Sequence, residues 1–535
     1  MDSTRISILW CALAVGSAVV APDARAMQSC ESLATLQFPN ATVTVAELIT
    51  SGTFDPPGSA GPITGVPPFC RVSLTVLPHI RVETWLPVDW NQRLQSIGGG
   101  GYAGDLSWGL LAEAISDGYA ATLTDTGHDD AVTPGGSFAL RPDGTLNWPA
   151  IIDYASRSVH EMTVKTQALI EAFYGRPAAF SYWNGCSTGG RQGLMEAQRF
   201  PQDYDGILAG APANNWDPFL PAELWAQVVM HQELGGPIAG SKLTAVTRDA
   251  IAACDALDGV EDGVIDDPRR CHYDPAASIC KADDDPARCL TAGEAAAVRK
   301  IWDGPTTARG GRLWFGLERG AVLGGVAGTD PFSIPVDYFR YWLHQDPSFD
   351  WHTLDEASFP DETRRSELKF HDVIGTDDPN LAAFHRAGGK LILWHGLADQ
   401  LIFPRGTIRY YESVRAANGG AGQVEDFARL FLAPGVDHCG FGYGPSSFDM
   451  FKTLIDWVES GVVPDRIIAA KLSGNKVVAT RPLCPYPQAA QWTGQGSPAD
   501  ASNFVCADVP HDSADLAIEA PRGTVRLQRR RSSQR

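Results

Sequence analysis

The stretch YWNGCSTGGRQGL, residues 182–194, constrains this chain more than any other, because it cages a serine in glycines that a helix or a strand does not ordinarily want. Its frame Gly185-Cys186-Ser187-Thr188-Gly189 fits GxSxG, a sharp turn that carries a strand into a helix and leaves the serine hydroxyl exposed at the bend. Small neighbours suit such a turn, since backbone must pass close to the serine and to the following helix. Glycine and serine also cluster in ordinary surface turns, so the flanking sequence has to choose between the two readings.

The flanks alternate strand and helix. PAAFSYWNG reads as the strand before the serine, GGRQGLMEAQRFP as the helix after it, and YDGILAGAPA as the next strand. Upstream, residues 71–88 alternate apolar and polar side chains like early antiparallel strands, and RLQSIGGGG reads as a buried strand running into a glycine loop. LAEAISDGYAATLTD reads as helix and strand, and SRSVHEMTVKTQALIEAFYG as an amphipathic helix closed by Gly175. Downstream, GGKLILWHGLAD and DFARLFLAPGVDHC are two more strands separated by the helix RGTIRYYESVRAA. This predicts an α/β class chain with a mostly parallel sheet between helices. Residues 214–377 differ, being rich in turns, paired cysteines and aromatics. An insertion at a strand's carboxyl end lies over the place where such sheets hold their sites, so this segment is read as a lid. Residues 27–213 and 378–520 then form one catalytic domain.

A net charge of -20 disfavours nucleic acid as a partner, and 44% hydrophobic with 20% charged residues fits a soluble globular protein rather than a disordered or many-span membrane protein. Residues 1–26 read as a secretory leader: Arg5, an apolar run, then Ala24-Arg25-Ala26 as a cleavage site. The expected location is therefore outside the cell or in the periplasm, with no stable membrane insertion. Loss of the leader removes Cys11 and leaves ten cysteines, an even count that points to disulfides in an exported chain. The basic residues 521–535 read as a frayed tail, with an anionic partner as the alternative.

Hydrolases of this strand-and-helix plan present a triad in the order serine, acid, histidine. Asp399 ends LILWHGLAD and His438 follows LFLAPGVD, so Ser187, Asp399 and His438 are the expected nucleophile, orienting acid and general base. Asp437 is the rival acid; His395 is the rival base, and is more readily read as packing near the site beside Asp399. His395 is also placed among the substrate contacts. The oxyanion requires two backbone donors, assigned to Thr188 and Gly101, with Gly100 the next choice. Cys186 precedes Ser187 and Cys439 follows His438; a bond between them would clamp the two loops across roughly 250 residues, worth about 5 kcal/mol as an upper figure.

Five segments in order, GGGGYAG, NGCSTGGRQGLMEAQRFPQDYDGILAGAPA, CDALDGVEDGVID, LWHGLAD and GVDHCG, resemble the tannase and feruloyl esterase family of α/β-hydrolases, which also includes mono(2-hydroxyethyl) terephthalate hydrolases. The resemblance spans nearly all of the mature chain. It implies an α/β-hydrolase fold with a large inserted lid, a serine carboxylesterase acting on small aromatic esters of feruloyl or galloyl type, and a disulfide joining the triad's neighbours. It further implies the pairs Cys30 with Cys70, Cys254 with Cys271, Cys280 with Cys289 and Cys484 with Cys506. A terephthalate monoester is the alternative substrate, with a serine peptidase or a non-catalytic calcium-dependent binding protein as the remoter alternatives. By residue type, Asp255, Asp258 and Asp262 with the carbonyls of Val260 and Val264 offer hard oxygen ligands, against the plainer reading of an acidic turn between two cysteines. The resemblance favours a structural calcium ion there, and no organic cofactor. Trp302, Trp314, Phe315, Tyr341 and Trp342 of the lid are candidate platforms for an aromatic acyl group, Trp314 and Phe315 foremost, with the lid's own core as the competing role. Arg312, Arg319 and Arg340 are candidate anchors for a substrate carboxylate.

Overall fold

The computed structural model describes residues 27–58, 61–509 and 513–519; the leader, Cys11 and the basic tail lie outside them. Nine strands form the main sheet: β1 (Ala41–Ile49), β2 (Phe69–Val76), β3 (Ile80–Pro87), β4 (Arg93–Ile97), β5 (Ala120–Thr124), β6 (Phe180–Cys186), β7 (Gly206–Gly210), β8 (Lys390–Gly396) and β9 (Ala428–Ala433). Their spatial order is β1-β2-β3-β5-β4-β6-β7-β8-β9. The first three are antiparallel, β3 meets β5 antiparallel, and β5 to β9 run parallel. Parallel neighbours need crossovers, and α1 (Trp108–Ser116), α2 (Ser158–Tyr174), α3 (Thr188–Arg199) and α4 (Pro404–Ala417) each lie in one, while α5 (Met450–Ser460) follows the last strand. α2, α3 and α4 cover one face through Val159, Met162, Leu194, Met195, Ile408 and Tyr411, while α1 and α5 lie on the other.

Residues 211–389 connect β7 to β8 and give no strand to this sheet. They fold as helices around Trp216, Leu220, Val298, Trp302, Phe339, Trp342 and Phe359, and that core continues into the sheet half through Tyr102, Phe138 and Tyr154. Tyr102 lies 5.9 Å from Trp216 and 6.2 Å from Trp342, ring to ring. The insertion is therefore rooted on the glycine loop after β4, which hangs directly beside the serine turn. No helix among the described residues is long and apolar enough to cross a membrane.

Candidate active site

Ser187 sits between the end of β6 and the start of α3 with φ 64° and ψ -125°, a conformation that costs an L-residue about 1–3 kcal/mol and survives only where its surroundings impose it. The imposition is visible. The Ser187 N–H donates to the Gly210 carbonyl at 2.9 Å, and its own carbonyl accepts from Arg191 and Ala213. A side chain at Gly185 would begin 2.6 Å from the Gly189 backbone, and one at Gly190 would begin 2.3 Å from the Gly210 oxygen. That contact explains the glycine cage: strand, turn and helix approach too closely for any Cβ.

Asp399 follows β8 and His438 follows β9, so parallel neighbours deliver acid and base to the same end of the sheet. Asp399 Oδ2 lies 2.8 Å from His438 Nδ1, and Oδ1 accepts from the N–H groups of Leu401 and Ile402 at 2.9 and 2.8 Å. Burial pushes the Asp399 carboxyl up, but His438 and His395 against it hold it well below the usual carboxylate range. A charged carboxylate facing Nδ1 fixes the proton there, which leaves Nε2 as the free base. Asp437 does not touch the ring. Its Oδ1 is buried without a partner, and burial, with the Asp399 charge second, raises its carboxyl to about 6.

Ser187 and His438 line one cleft of about 1170 Å³ with Gly100, Gly101, Phe332, Ile334 and Leu401. Cys186 and Cys439, also in its wall, are disulfide bonded with Cα atoms 5.9 Å apart. The Thr188 hydroxyl donates to the Gly101 carbonyl at 2.6 Å, tying the serine turn to the glycine loop. Thr188 opens α3, so its N–H has no acceptor within the helix.

A strained serine after a central strand, an acid and a histidine in hydrogen-bond contact after the next parallel strands, and a large insertion over them all coincide with a match to the family model described as tannase and feruloyl esterase, over residues 63–334 and 333–507. The chain belongs to the tannase and feruloyl esterase family. A probable feruloyl esterase from Arthroderma benhamiae is 38% identical, across 92% of this chain and 96% of that one. The mono(2-hydroxyethyl) terephthalate hydrolase of Piscinibacter sakaiensis is 31% identical, across 83% of this chain and 86% of its own. The crystal structure of feruloyl esterase B from Aspergillus oryzae superposes with a TM-score of 0.82 at 28% identity, across 90% of this chain and 99% of that one.

Within this tannase and feruloyl esterase fold, several residues stand elsewhere than their sequence led us to expect. His395 is fully buried behind Asp399 and does not line the cleft. Its Nε2 faces two acceptors, Asp399 Oδ2 at 3.1 Å and the Ile402 carbonyl at 3.0 Å, so that nitrogen carries a proton, while Nδ1 meets the Thr407 hydroxyl at 2.8 Å. His395 thus packs beside the acid, as the sequence reading favoured, and is not a substrate contact. Trp314 and Phe315 are buried in the core of the insertion, Trp314 against Gly406 of α4, and neither lines the cleft. Trp302, Tyr341 and Trp342 are likewise packed in or against that core. Their large apolar areas are consumed in seating the insertion, and the lid side chains at the cleft are instead Phe332 and Ile334. Arg312, Arg319 and Arg340 bond the carbonyls of Asp515, Tyr273 and Phe349 and do not line the cleft.

All four pairs implied by the resemblance are present, Cys30 with Cys70, Cys254 with Cys271, Cys280 with Cys289 and Cys484 with Cys506. The loop after Cys254 wraps on Gly259 and Gly263, both with positive φ. The Asp255 carboxylate accepts from the N–H groups of Asp262, Gly263 and Val264. Arg481, nearly buried, reaches in from the last part of the chain to contact Asp258, Asp262 and Asp266. One guanidinium thus stands among four carboxylates, and the loop keeps both the hard-oxygen donors and the residual negative charge that suit a divalent cation.

Proposed function

We propose that this chain is an exported serine esterase that hydrolyses small aromatic carboxylic esters through an acyl-enzyme. Ser187 Oγ adds to the ester carbonyl while His438 Nε2 accepts its proton, and the oxyanion is met by the N–H groups of Thr188 and Gly101. The tetrahedral adduct expels the alcohol, which leaves with the proton held by His438, and the acyl group stays on Ser187. Water, deprotonated by the same imidazole, then releases the acid and restores the serine. Asp399 stays charged throughout, holding the ring tautomer and stabilising the imidazolium.

The observation that carries this reading is the contact of His438 Nδ1 with a buried, doubly amide-bonded Asp399 on the cleft that Ser187 lines. Relatives described as feruloyl esterases support an aromatic acyl group. The carboxylates of Asp255, Asp258 and Asp262 with the carbonyls of Val260 and Val264 would hold a structural calcium ion; when bound it neutralises the loop and takes no part at the ester. The leader and the five disulfides support export. The deciding experiment is a hydrolysis panel of methyl ferulate, methyl gallate and mono(2-hydroxyethyl) terephthalate. We expect the ferulate or gallate ester to give the highest kcat/KM. Preference for the terephthalate would move the acyl assignment, and inertness toward all three would remove the esterase reading.

A further inference from the structure

Away from the cleft, on the face covered by α2 and α3, Glu196 is completely buried and neither of its carboxylate oxygens meets a hydrogen-bond donor among the described residues. Burying a carboxylate is costly unless its charge is paired. No Lys or Arg among the described residues is ion-paired with it. Arg199, three residues on, turns to Ser156 and to the Val373 carbonyl, and the Tyr204 hydroxyl is engaged with Thr163.

What Glu196 does face is a histidine and a second carboxylate. One oxygen of Glu196, one of Asp203 and one ring nitrogen of His160 all lie within 4.8 Å of one another. Three different elements bring them there: His160 stands in the first turn of α2, Glu196 in the last turn of α3, and Asp203 in the turn that leads to β7, where its N–H donates to the Phe200 carbonyl at 3.1 Å. That turn also orients the imidazole. Phe200 stacks on the His160 ring at 3.8 Å with the planes 7° apart, and Asp203 Oδ2 lies 2.7 Å from His160 Nδ1. The His160 side chain is 34% exposed and that of Asp203 13%, so the cluster is reached from solvent on one side and closed by Glu196 on the other.

We propose that His160, Glu196 and Asp203 form a metal site, separate from the acidic loop after Cys254, that takes a zinc-type divalent cation. Donors at about 2.0–2.2 Å from a tetrahedral ion stand roughly 3.3–3.5 Å from one another. The spread found here, 2.7 Å for one pair and within 4.8 Å for all, brackets that spacing. The donor set selects the ion: an imidazole nitrogen suits zinc and its neighbours, whereas calcium and magnesium favour oxygen throughout. Burial, then the charge of Asp203, raises the Glu196 carboxyl well above the usual range, so a proton is the competing occupant. A proton satisfies one carboxylate oxygen and leaves the other bare; a cation can meet both. At 1.5 Å per residue Glu196 lies about 13 Å along α3 from Ser187, so the ion would pin α2 to the far end of the serine's helix and take no part at the ester.

The test titrates zinc chloride into the untagged full-length enzyme, stripped with a chelator and returned to saturating calcium so that the acidic loop is not the site read. The expected result is one zinc ion per chain, a raised melting temperature, and affinity that weakens as pH falls because the ligands must shed protons. His160→Gln and Asp203→Asn should each weaken zinc binding by at least about tenfold while leaving the response to calcium as it was. Zinc binding undiminished in the folded variants overturns the proposal, and so does a calcium-saturated parent that takes up no zinc, which would leave the proton between Glu196 and Asp203. A measurement that needs no variant is anomalous scattering at the zinc edge from crystals of the parent soaked in zinc chloride. A peak among the three side chains supports the site; a peak only elsewhere, or none, overturns it.

Discussion

The sheet half and the inserted segment 211–389 both bury many aromatic side chains, yet only the sheet half places its chemistry where its pattern of residues points. Ser187, Asp399 and His438 stand at the carboxyl ends of parallel strands, so once strand and helix alternate the topology leaves them little choice of position. Trp314 and Phe315 belong to an irregular segment with no such rule, and there a large apolar residue reports burial rather than contact with a ligand. Function was readable where backbone geometry dictates it and hidden where side-chain packing does.

The comparison is broken most forcefully at the serine. Ser187→Ala should lower kcat by on the order of a thousandfold or more while the melting temperature stays near that of the parent, because the turn is held by glycines and backbone bonds. Turnover within tenfold of the parent would mean that another nucleophile does the work. Next in size is the covalent clamp. Cys186→Ala with Cys439→Ala leaves the insertion untouched but frees the serine turn from the histidine loop. A misplacement of about 1 Å can cost on the order of a hundredfold in rate, so kcat should fall steeply along with stability. Loss of stability at constant kcat would show that packing alone keeps the register.

The insertion should behave in the opposite way. Trp314→Ala is expected to cost about 3–5 kcal/mol of stability, as a large buried ring does, without altering the ratio of kcat/KM between ferulate and gallate esters. Ile334→Ala, at the cleft, should shift that ratio with a smaller loss of stability. A changed ratio for Trp314→Ala would return the lid aromatics to the substrate. Chelation should act on this half too: EDTA is expected to lower the melting temperature by removing on the order of 3 kcal/mol of stability when free calcium had stood at 100 times its Kd, with little effect on turnover assayed promptly in the cold. A melting temperature indifferent to both EDTA and calcium would strip the ion from the loop.

How far each half was legible follows from what periodicity encodes. It gave the strands and helices around Ser187, but not that β5 inserts between β3 and β4, because pairing order depends on crossovers rather than on any strand's own pattern. It gave Asp399, His438 and the packing of His395 beside the acid, but not that His395 stays out of the cleft, since a histidine beside a site reads alike whether it faces the ligand or the carboxylate.

The smallest expected effect is the finest test of the acid. Asp437 adjoins His438 in sequence, yet its carboxylate makes no bond to the ring and has a buried oxygen without a donor. Burial, then the charge of Asp399, raises it from 3.8 to about 6. A carboxyl raised on folding binds its proton more tightly in the native state, so its contribution to stability is greatest at low pH and declines as pH climbs from about 4 through 6. The Asp437→Asn variant keeps the shape of the side chain and carries no ionisable group there. It should therefore match the parent below pH 4, gain on it between pH 4 and 6, and hold a constant advantage above, reduced by the partial exposure of the group. Its turnover should stay within about twofold, since removing a charge that touches neither Nδ1 nor substrate withdraws no transition-state contact. Thermal melts across pH 3.5–8 beside kcat measurements decide the matter. A collapse of kcat in Asp437→Asn, with Asp399→Asn near normal, would transfer the acid's role to the neighbour; a stability gain that ignores pH would deny that burial sets this carboxyl.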